Sequence, residues 1–233
     1  MSLAETLGLD DRRQKRVVGV LQVVLAGITL YGVYRVNVGL AINAAIPLGV
    51  TFLPAYLERD TRISMDPGLV LWMTAAVFLH AVGALGVYQW MGWYDQVAHA
   101  LSASVVAGVG YATVRAFDRH SEAVSFPSEF VFAFLFVFVM AFGVLWEIME
   151  FATGLASQVV GGEAVLAQYG IDDIIYDLAF NQVGALVVAV WGHAHLSGVS
   201  RDLSREMDDS GKTDDSGEAD DSEQARDTRD TEE

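Results

Sequence analysis

Residues 130–139 read Phe130-Val131-Phe132-Ala133-Phe134-Leu135-Phe136-Val137-Phe138-Val139. They lie inside an apolar stretch of about 129 to 151 that is hydrophobic on every side of a helix. The hydrocarbon core of a bilayer is about 30 Å thick and needs roughly 20 apolar residues in helical form. A helix is also the only unpaired element whose backbone polar groups are satisfied inside lipid. The stretch therefore predicts a transmembrane helix.

Five further stretches have the same length and character on either side of this helix. They cover about 17 to 35, 38 to 57, 68 to 90, 95 to 116 and 174 to 195. Pro47 and Pro54 fall within the second stretch and predict a kink there, because proline removes a helical hydrogen bond. The predicted fold class is all-α, a polytopic membrane helical bundle of about six transmembrane helices.

The distribution of basic residues predicts the orientation of the bundle. Lys and Arg in short flanks are retained on the cytoplasmic side during insertion. With the amino terminus inside, the cytoplasmic ends are flanked by Arg12, Arg13, Lys15, Arg16, Arg59, Arg62, Arg115, Arg119, Arg201 and Arg205. Only Arg35 is left outside. We expect a multi-pass plasma-membrane protein with a basic cytoplasmic segment 1–16, a membrane domain 17–196 and both termini cytoplasmic.

The last segment, 197–233, differs sharply in composition from the membrane domain. Residues 201–233 carry 14 acidic and 5 basic side chains and almost nothing apolar. Such a segment cannot bury enough surface to offset its chain entropy, which predicts a disordered acidic cytoplasmic tail. The whole chain has 14 basic residues, mostly Arg, against 30 acidic ones, as expected of a protein from a salt-loving organism. A partner-binding role for the tail is the alternative.

Aromatic residues surround the turn between the third and fourth stretches. Trp90 and Trp93 with Tyr88 and Tyr94 are placed as an interfacial belt would be. Between the fifth and sixth stretches, the run from Glu163 to Tyr169 is weakly amphipathic and suggests a short surface helix, with an ordinary loop as the alternative.

Ionisable residues of the later helices gather at one predicted membrane face, the outer one. Asp95 and His99 are four residues apart at the start of the fourth helix, and Glu147 and Glu150 are three apart at the end of the fifth. Each pair shares a helix face. At the start of the sixth helix, polar residues recur every four positions as Asp173, Asp177 and Asn181, with Gly184 continuing the same stripe. His80, near the middle of the third helix, could point at the same group of residues from deeper in the membrane.

These carboxylates outnumber the cations that could neutralise them, since only one Arg is near. Three sources of compensation exist: a bound divalent cation, shared protons, or water. Cysteine is absent, so a metal would take oxygen and imidazole ligands, which favours a hard or borderline divalent ion. The candidate metal ligands are His99, Asp95, Glu147, Glu150, Asp173 and Asp177. The alternative is that these residues only bond neighbouring helices or mark helix ends, and for His80 helix packing is the simpler interpretation.

Three short motifs carry a resemblance to a known family. They are Tyr94-Asp95-Gln96-Val97-Ala98-His99, Leu145-Trp146-Glu147-Ile148-Met149-Glu150, and Asp173 with Asp177, Asn181, Gly184 and Ala185. This pattern, within about residues 68 to 195, resembles the YjdF-type family of bacterial and archaeal inner membrane proteins, itself similar to the wider VanZ-like group. The resemblance implies a compact polytopic helical fold with polar motifs in its later helices. Glu150 stands where VanZ-like members commonly carry glutamine.

Three functions remain open from the sequence. The first is a membrane-embedded, outward-facing enzyme or binding site in which a divalent metal acts on a lipid or lipid-linked headgroup, with Glu147, Glu150 and Asp177 as catalytic candidates. The second is transport of a proton, a cation or a small solute by the same carboxylates. The third is a noncatalytic assembly or signalling subunit. The bilayer is the expected partner, and no basic surface for nucleic acid exists.

Overall fold

A computed structural model describes residues 10–61, 63, 65–120, 124–160 and 170–230. Every regular element within those residues is helical. The helices are Asp11–Tyr34, Val38–Val50, Leu53–Asp60, Pro67–Val82, a π-helical turn Gly83–Val87, Tyr88–Trp90, Gly92–His120, Ser128–Val160 and Ile171–Asp230. The predicted surface helix from Glu163 to Tyr169 and the first nine residues lie outside the described part of the chain.

Six helical stretches are long and apolar enough to cross a membrane. We number them span 1 to span 6, and they cover Asp11–Tyr34, Val38–Asp60, Pro67–Trp90, Gly92–His120, Ser128–Leu155 and Ile171–Gly192. These bounds agree with the six stretches predicted from hydropathy, although spans 1, 4 and 5 extend several residues further. The predicted all-α membrane bundle is confirmed. The side of the membrane on which each terminus lies stays a prediction, as do the domain boundaries.

The predicted kink in span 2 is confirmed as a break in the helix. The helix Val38–Val50 contains Pro47 and ends at Thr51. A second helix, Leu53–Asp60, starts at once with Pro54 in its first turn, where a missing N–H costs nothing. The hydroxyl of Thr51 donates to the carbonyl oxygen of Leu48 at 2.6 Å and so satisfies one acceptor that the break leaves.

Span 4 is the central helix of the second half of the bundle. More than half of its apolar window is buried, against 22–28% for the other five spans. Spans 3, 5 and 6 all pack on it, and its contact with span 6 is the most extensive in the protein. Small residues of span 4 allow its neighbours to pack closely. Ala103 and Ala107 are buried in one apolar cluster with Leu135 and Val139 of span 5. Spans 1 to 3 form a separate apolar cluster.

Span 3 contains an interruption that its hydropathy did not predict. The α-helix Pro67–Val82 continues into the π-helical turn Gly83–Val87, in which Gly86 has φ of 108°. Only glycine adopts this left-handed conformation without strain. The turn folds the Tyr88 ring over Gly83, where any side chain would collide with it. Tyr88 therefore faces inward, which differs from the predicted aromatic belt.

The last helix continues beyond span 6 to Asp230. A disordered acidic tail stays a prediction. A helix already nucleated by a membrane span extends without a second nucleation cost. Near the start of this extension, the Ser200 hydroxyl accepts a hydrogen bond from Arg119 of span 4 at 2.6 Å. This contact ties the first turns of the extension to the bundle. Halophilic origin stays a prediction.

Candidate metal centre

Span 4 supplies the first two polar groups of the site. Asp95 and His99 are one turn apart on the same face, and the Nε2 atom of His99 lies 3.6 Å from Oδ1 of Asp95. His99 is 5% exposed, so its ring is enclosed by protein. The face they share is turned towards span 6, which packs closely on span 4.

Span 6 approaches span 4 closely because of Gly184. A Cβ atom at this position would collide with the carbonyl oxygen of Ala100 and lie 2.7 Å from the backbone nitrogen of Ser104. Only hydrogen fits there, as in other close contacts between membrane helices. Asn181 and Asp177, about one and two turns earlier, are thereby placed beside His99. The sequence places Gly184 on the same stripe as these two residues, and the structure shows that this is where the two helices approach each other closely.

Three side chains meet at this crossing in a geometry that could hold a metal. Oδ2 of Asp177 lies 3.6 Å from Nε2 of His99, and the same Nε2 atom also faces Asp95. One ligand atom from each of Asp95, His99 and Asp177 lies within 4.8 Å of the other two. Asp177 is 1% exposed, and its Oδ1 atom accepts no hydrogen bond. Asn181 closes the group from behind, with its Oδ1 atom 3.3 Å from Nδ1 of His99.

Span 5 brings two further carboxylates to the same end of the bundle. Glu147 and Glu150 are both buried, at 6% and 8% exposure. The indole nitrogen of Trp146 donates to Oε1 of Glu150 at 2.9 Å, which fixes that carboxylate. Glu147 interacts electrostatically with Asp95 and Asp177 but lies outside the group of three.

Asp173 is the most peripheral of the six predicted ligands. It is half-buried, interacts electrostatically with Asp95 and Asp177, and is not in the group of three. The structure thus brings three of the six predicted ligands into metal-binding geometry. Glu147, Glu150 and Asp173 surround that group.

His80 lies next to the group, from the side of span 3. Its ring centroid is 5.4 Å from that of His99 and 5.7 Å from that of Trp146. Its Nδ1 atom is 2.8 Å from the hydroxyl of Tyr88. Within the described residues His80 is not in the metal-binding group, so its contacts agree with a packing role.

A cavity of about 210 Å³ begins at His99 and Asn181 and continues towards the middle of the bundle. Its polar end is formed by these two residues with His80 and Ser102. The remainder is apolar and is lined by Val77, Ala103, Val106, Val139, Phe142, Gly143 and Trp146. The group of three thus adjoins a cavity through His99.

Comparison with known proteins connects this arrangement to a family. The model of a family described as a predicted membrane protein, DUF2238, matches residues 16–198, which include most of span 1, all of spans 2 to 6 and every residue of the site. The chain belongs to the DUF2238 family. The family description agrees with a multi-pass membrane protein, and it names no reaction.

A relative of this DUF2238 chain is an uncharacterized protein of Thermotoga maritima. The two are 27% identical over 188 residues, which cover 78% of this chain and 91% of the relative. The similarity therefore covers most of both chains. No solved structure matches the chain.

Sequence patterns missed two residues that shape the site. Tyr88 and Tyr94 were assigned to an interfacial belt, but Tyr88 contacts His80 and the Tyr94 hydroxyl donates to the carbonyl oxygen of Leu79 at 3.0 Å. Trp90 and Trp93 are largely exposed, as the belt requires. The signal for the inward tyrosines was the pair of glycines at 83 and 86, because glycines within a span permit a turn that redirects the side chains beyond it.

Proposed function

We propose that this protein is an outward-facing, metal-dependent membrane enzyme or binding site that acts on an ester or phosphoester of a lipid or lipid-linked substrate. Asp95, His99 and Asp177 hold the divalent ion, and Glu147 and Glu150 assist at its edge. The observation that carries this proposal is the buried group of three ligand atoms within 4.8 Å of one another. We also propose that the chain is related to the YjdF-type and VanZ-like membrane proteins that its three motifs resemble.

The hydrogen-bond arrangement around His99 supports a cation. When Nδ1 donates to Oδ1 of Asn181, a neutral imidazole directs the lone pair of Nε2 at the two aspartates. Three acceptors then face one another in a largely buried space, and the described contacts place no donor between them. A metal ion resolves this repulsion and uses the imidazole in its common role as a ligand whose other nitrogen is held by a hydrogen bond.

The distances favour an ion over a shared proton. N–H···O hydrogen bonds place nitrogen and oxygen at about 2.7–3.2 Å. The two Nε2–oxygen separations are 3.6 Å, longer than that range. Ligands on adjacent corners around an ion, each about 2.0–2.6 Å from it, are separated by about 2.8–3.7 Å. Both Nε2–oxygen separations therefore have the length expected between adjacent ligands of one metal.

The surrounding glutamates provide the remaining chemistry. A divalent ion at this position polarises a carbonyl or phosphoryl oxygen. Glu147 or Glu150 takes a proton from the attacking water as the new bond to carbon or phosphorus forms. The bond to the leaving alcohol oxygen then breaks, and the same carboxyl returns the proton to that oxygen. The products are one acid and one alcohol.

Metal content tests the proposal directly. The protein is purified in detergent, equilibrated with Zn²⁺ or Mn²⁺, passed through a desalting column and analysed by elemental mass spectrometry. We expect about one ion per chain for the parent and for Asp60→Asn, whose carboxylate bonds only the neighbouring Arg59 among the described contacts. Asp177→Asn should lose the ion. A parent without stoichiometric metal overturns the proposal.

Transport is a second candidate, and the cavity is the observation that favours it. The space leads from the carboxylates towards the middle of the membrane and contains His80 and His99 at its polar end. Its inner part is apolar, which opposes the passage of ions. A flux assay in proteoliposomes decides: proton or cation uptake that depends on Asp177 supports transport, and a flat trace under imposed gradients contradicts it.

A further inference from the structure

The cavity lies in a gap between spans 3 and 5. Both spans pack on span 4, but in the described residues they make no extensive contact with each other. Span 4 therefore forms the floor of a groove, with Val77 on one wall and Val139 on the other. Near the site the groove is bridged by the rings of His80 and Trp146. Farther along, Phe142 borders it and is 47% exposed, so the groove faces the surroundings of the bundle.

The groove changes from polar to apolar along the helix axis. His99 and Ser102 lie at one end and Val106 at the other, a distance of about 10 Å for seven residues of helix. The Ser102 hydroxyl is buried and makes no hydrogen bond. The hydroxyl of Ser104, by contrast, donates to the carbonyl oxygen of Leu101. A buried hydroxyl without a partner at the polar end calls for a ligand group that bonds to it.

We propose that this groove between spans 3 and 5 binds one hydrocarbon chain of a membrane lipid, which enters sideways from the bilayer and presents its ester linkage to Ser102 and His99. This inference rests on the proposed function for the role of the metal, and it specifies the substrate as a membrane lipid. Occupancy of the groove by lipid is measured without reference to metal.

The location and size of the groove select this occupant. The groove lies at the level of the membrane spans, so the bilayer is the phase at its open side. Its volume of about 210 Å³ is smaller than the roughly 300–1,000 Å³ of pockets that enclose whole small molecules. One segment of a chain fits, while the remainder stays in the bilayer. Its apolar walls suit methylene groups, and the Ser102 hydroxyl can donate to an ester carbonyl.

Photo-crosslinking in bilayers tests the inference. The full chain is reconstituted into vesicles of phosphatidylglycerol and phosphatidylcholine, with a small fraction of the phosphatidylcholine carrying a diazirine in mid-chain. After irradiation, labelled peptides are mapped by mass spectrometry. We expect label on Val77 and on Val139, which lines the groove and is only 1% exposed. Val137, 71% exposed on the same span, reports the lipid that surrounds any membrane protein.

Filling the groove supplies the decisive comparison. Val106→Phe places a ring in the space that one chain occupies, so the labelling of Val139 relative to Val137 should fall about tenfold. Val109→Phe is the matched control, because Val109 is 59% exposed on the same span, and should leave the ratio unchanged. Val77→Phe, from the opposite wall, repeats the test if Val106→Phe does not fold. Val139 labelling no greater than background, or labelling that neither groove variant lowers, overturns the inference.

Metal content of the same samples separates the two proposals. Groove labelling in a parent without metal contradicts the proposed function and supports lipid binding. Stoichiometric metal without groove labelling supports the proposed function and contradicts lipid binding in the groove.

Discussion

Replacement of Asn181 by alanine should weaken metal binding without removing a ligand. Asn181 holds His99 through the 3.3 Å contact between Oδ1 and Nδ1, which keeps Nε2 directed at Asp95 and Asp177. Loss of such a supporting bond lowers metal affinity by about 10- to 100-fold. A contact at the long end of the hydrogen-bond range belongs near the lower limit.

The expected loss of metal affinity agrees with the free energy of one hydrogen bond. A tenfold loss of affinity is about 1.4 kcal/mol. An ordinary neutral hydrogen bond contributes about 0.5–1.5 kcal/mol. We therefore expect the dissociation constant of Asn181→Ala to rise about tenfold, whereas Asp177→Asn, which removes a ligand oxygen, loses binding altogether.

Competition with a fluorescent chelator measures both constants in detergent, with Zn²⁺ or Mn²⁺ alone as the probe. The matched control is Asn43→Ala, since Asn43 donates to the carbonyl oxygen of Gly39 within its own helix in span 2. Its dissociation constant should equal that of the parent. An Asn181→Ala protein that binds as tightly as the parent would refute the assignment of Asn181 as the partner that orients His99.

Three further predictions concern packing and the carboxy-terminal helix. Gly184→Ala should lower the free energy of unfolding by about 1–3 kcal/mol, because the new Cβ atom meets the backbone of span 4. Thermal unfolding in detergent measures this loss. Gly27→Ala is the control and should leave the free energy of unfolding unchanged, because the space around Gly27 is open. Tyr88→Phe should cost about 0.5–1.5 kcal/mol by losing its bond to His80, and the exposed Tyr56→Phe serves as its control. Deletion of residues 206–233 should leave the metal content unchanged, since every proposed ligand lies before the deletion; loss of metal would show that the extension takes part in the site.

Hydropathy predicted the spans because the bilayer imposes a length on each helix that crosses it. The apolar stretch around Phe134 has no alternative in lipid. The break in span 2 lies between Pro47, which is inside the first helix, and Pro54, which is in the first turn of the second. The interruption of span 3 was not predictable in this way. Gly83 and Gly86 are as apolar as their neighbours, so a hydropathy profile does not distinguish an α-helical from a π-helical turn.

Spacing predicted part of the site. Asp95 and His99 share a face by helix geometry, and the four-residue repeat placed Asp177 and Asn181 on another. Which of the carboxylates come within reach of one ion depends on how two helices cross. That crossing is decided by Gly184 against Ala100, a contact between residues that are distant in sequence. Glu150 lies outside the group of three and accepts a hydrogen bond from Trp146 on its own helix, a contact that residue spacing does not reveal.

The turn Gly83–Val87 interrupts the α-helix of span 3, because Gly86 has φ of 108° and the N–H of Tyr88 donates to the carbonyl oxygen of Gly83, five residues back. A residue with a side chain at position 86 would favour a right-handed backbone and so a straighter span. Such a change would point the phenol of residue 88 in another direction, away from His80. Relatives without a glycine at position 86 should therefore lack the interruption, and a tyrosine at position 88 in them would no longer meet the histidine.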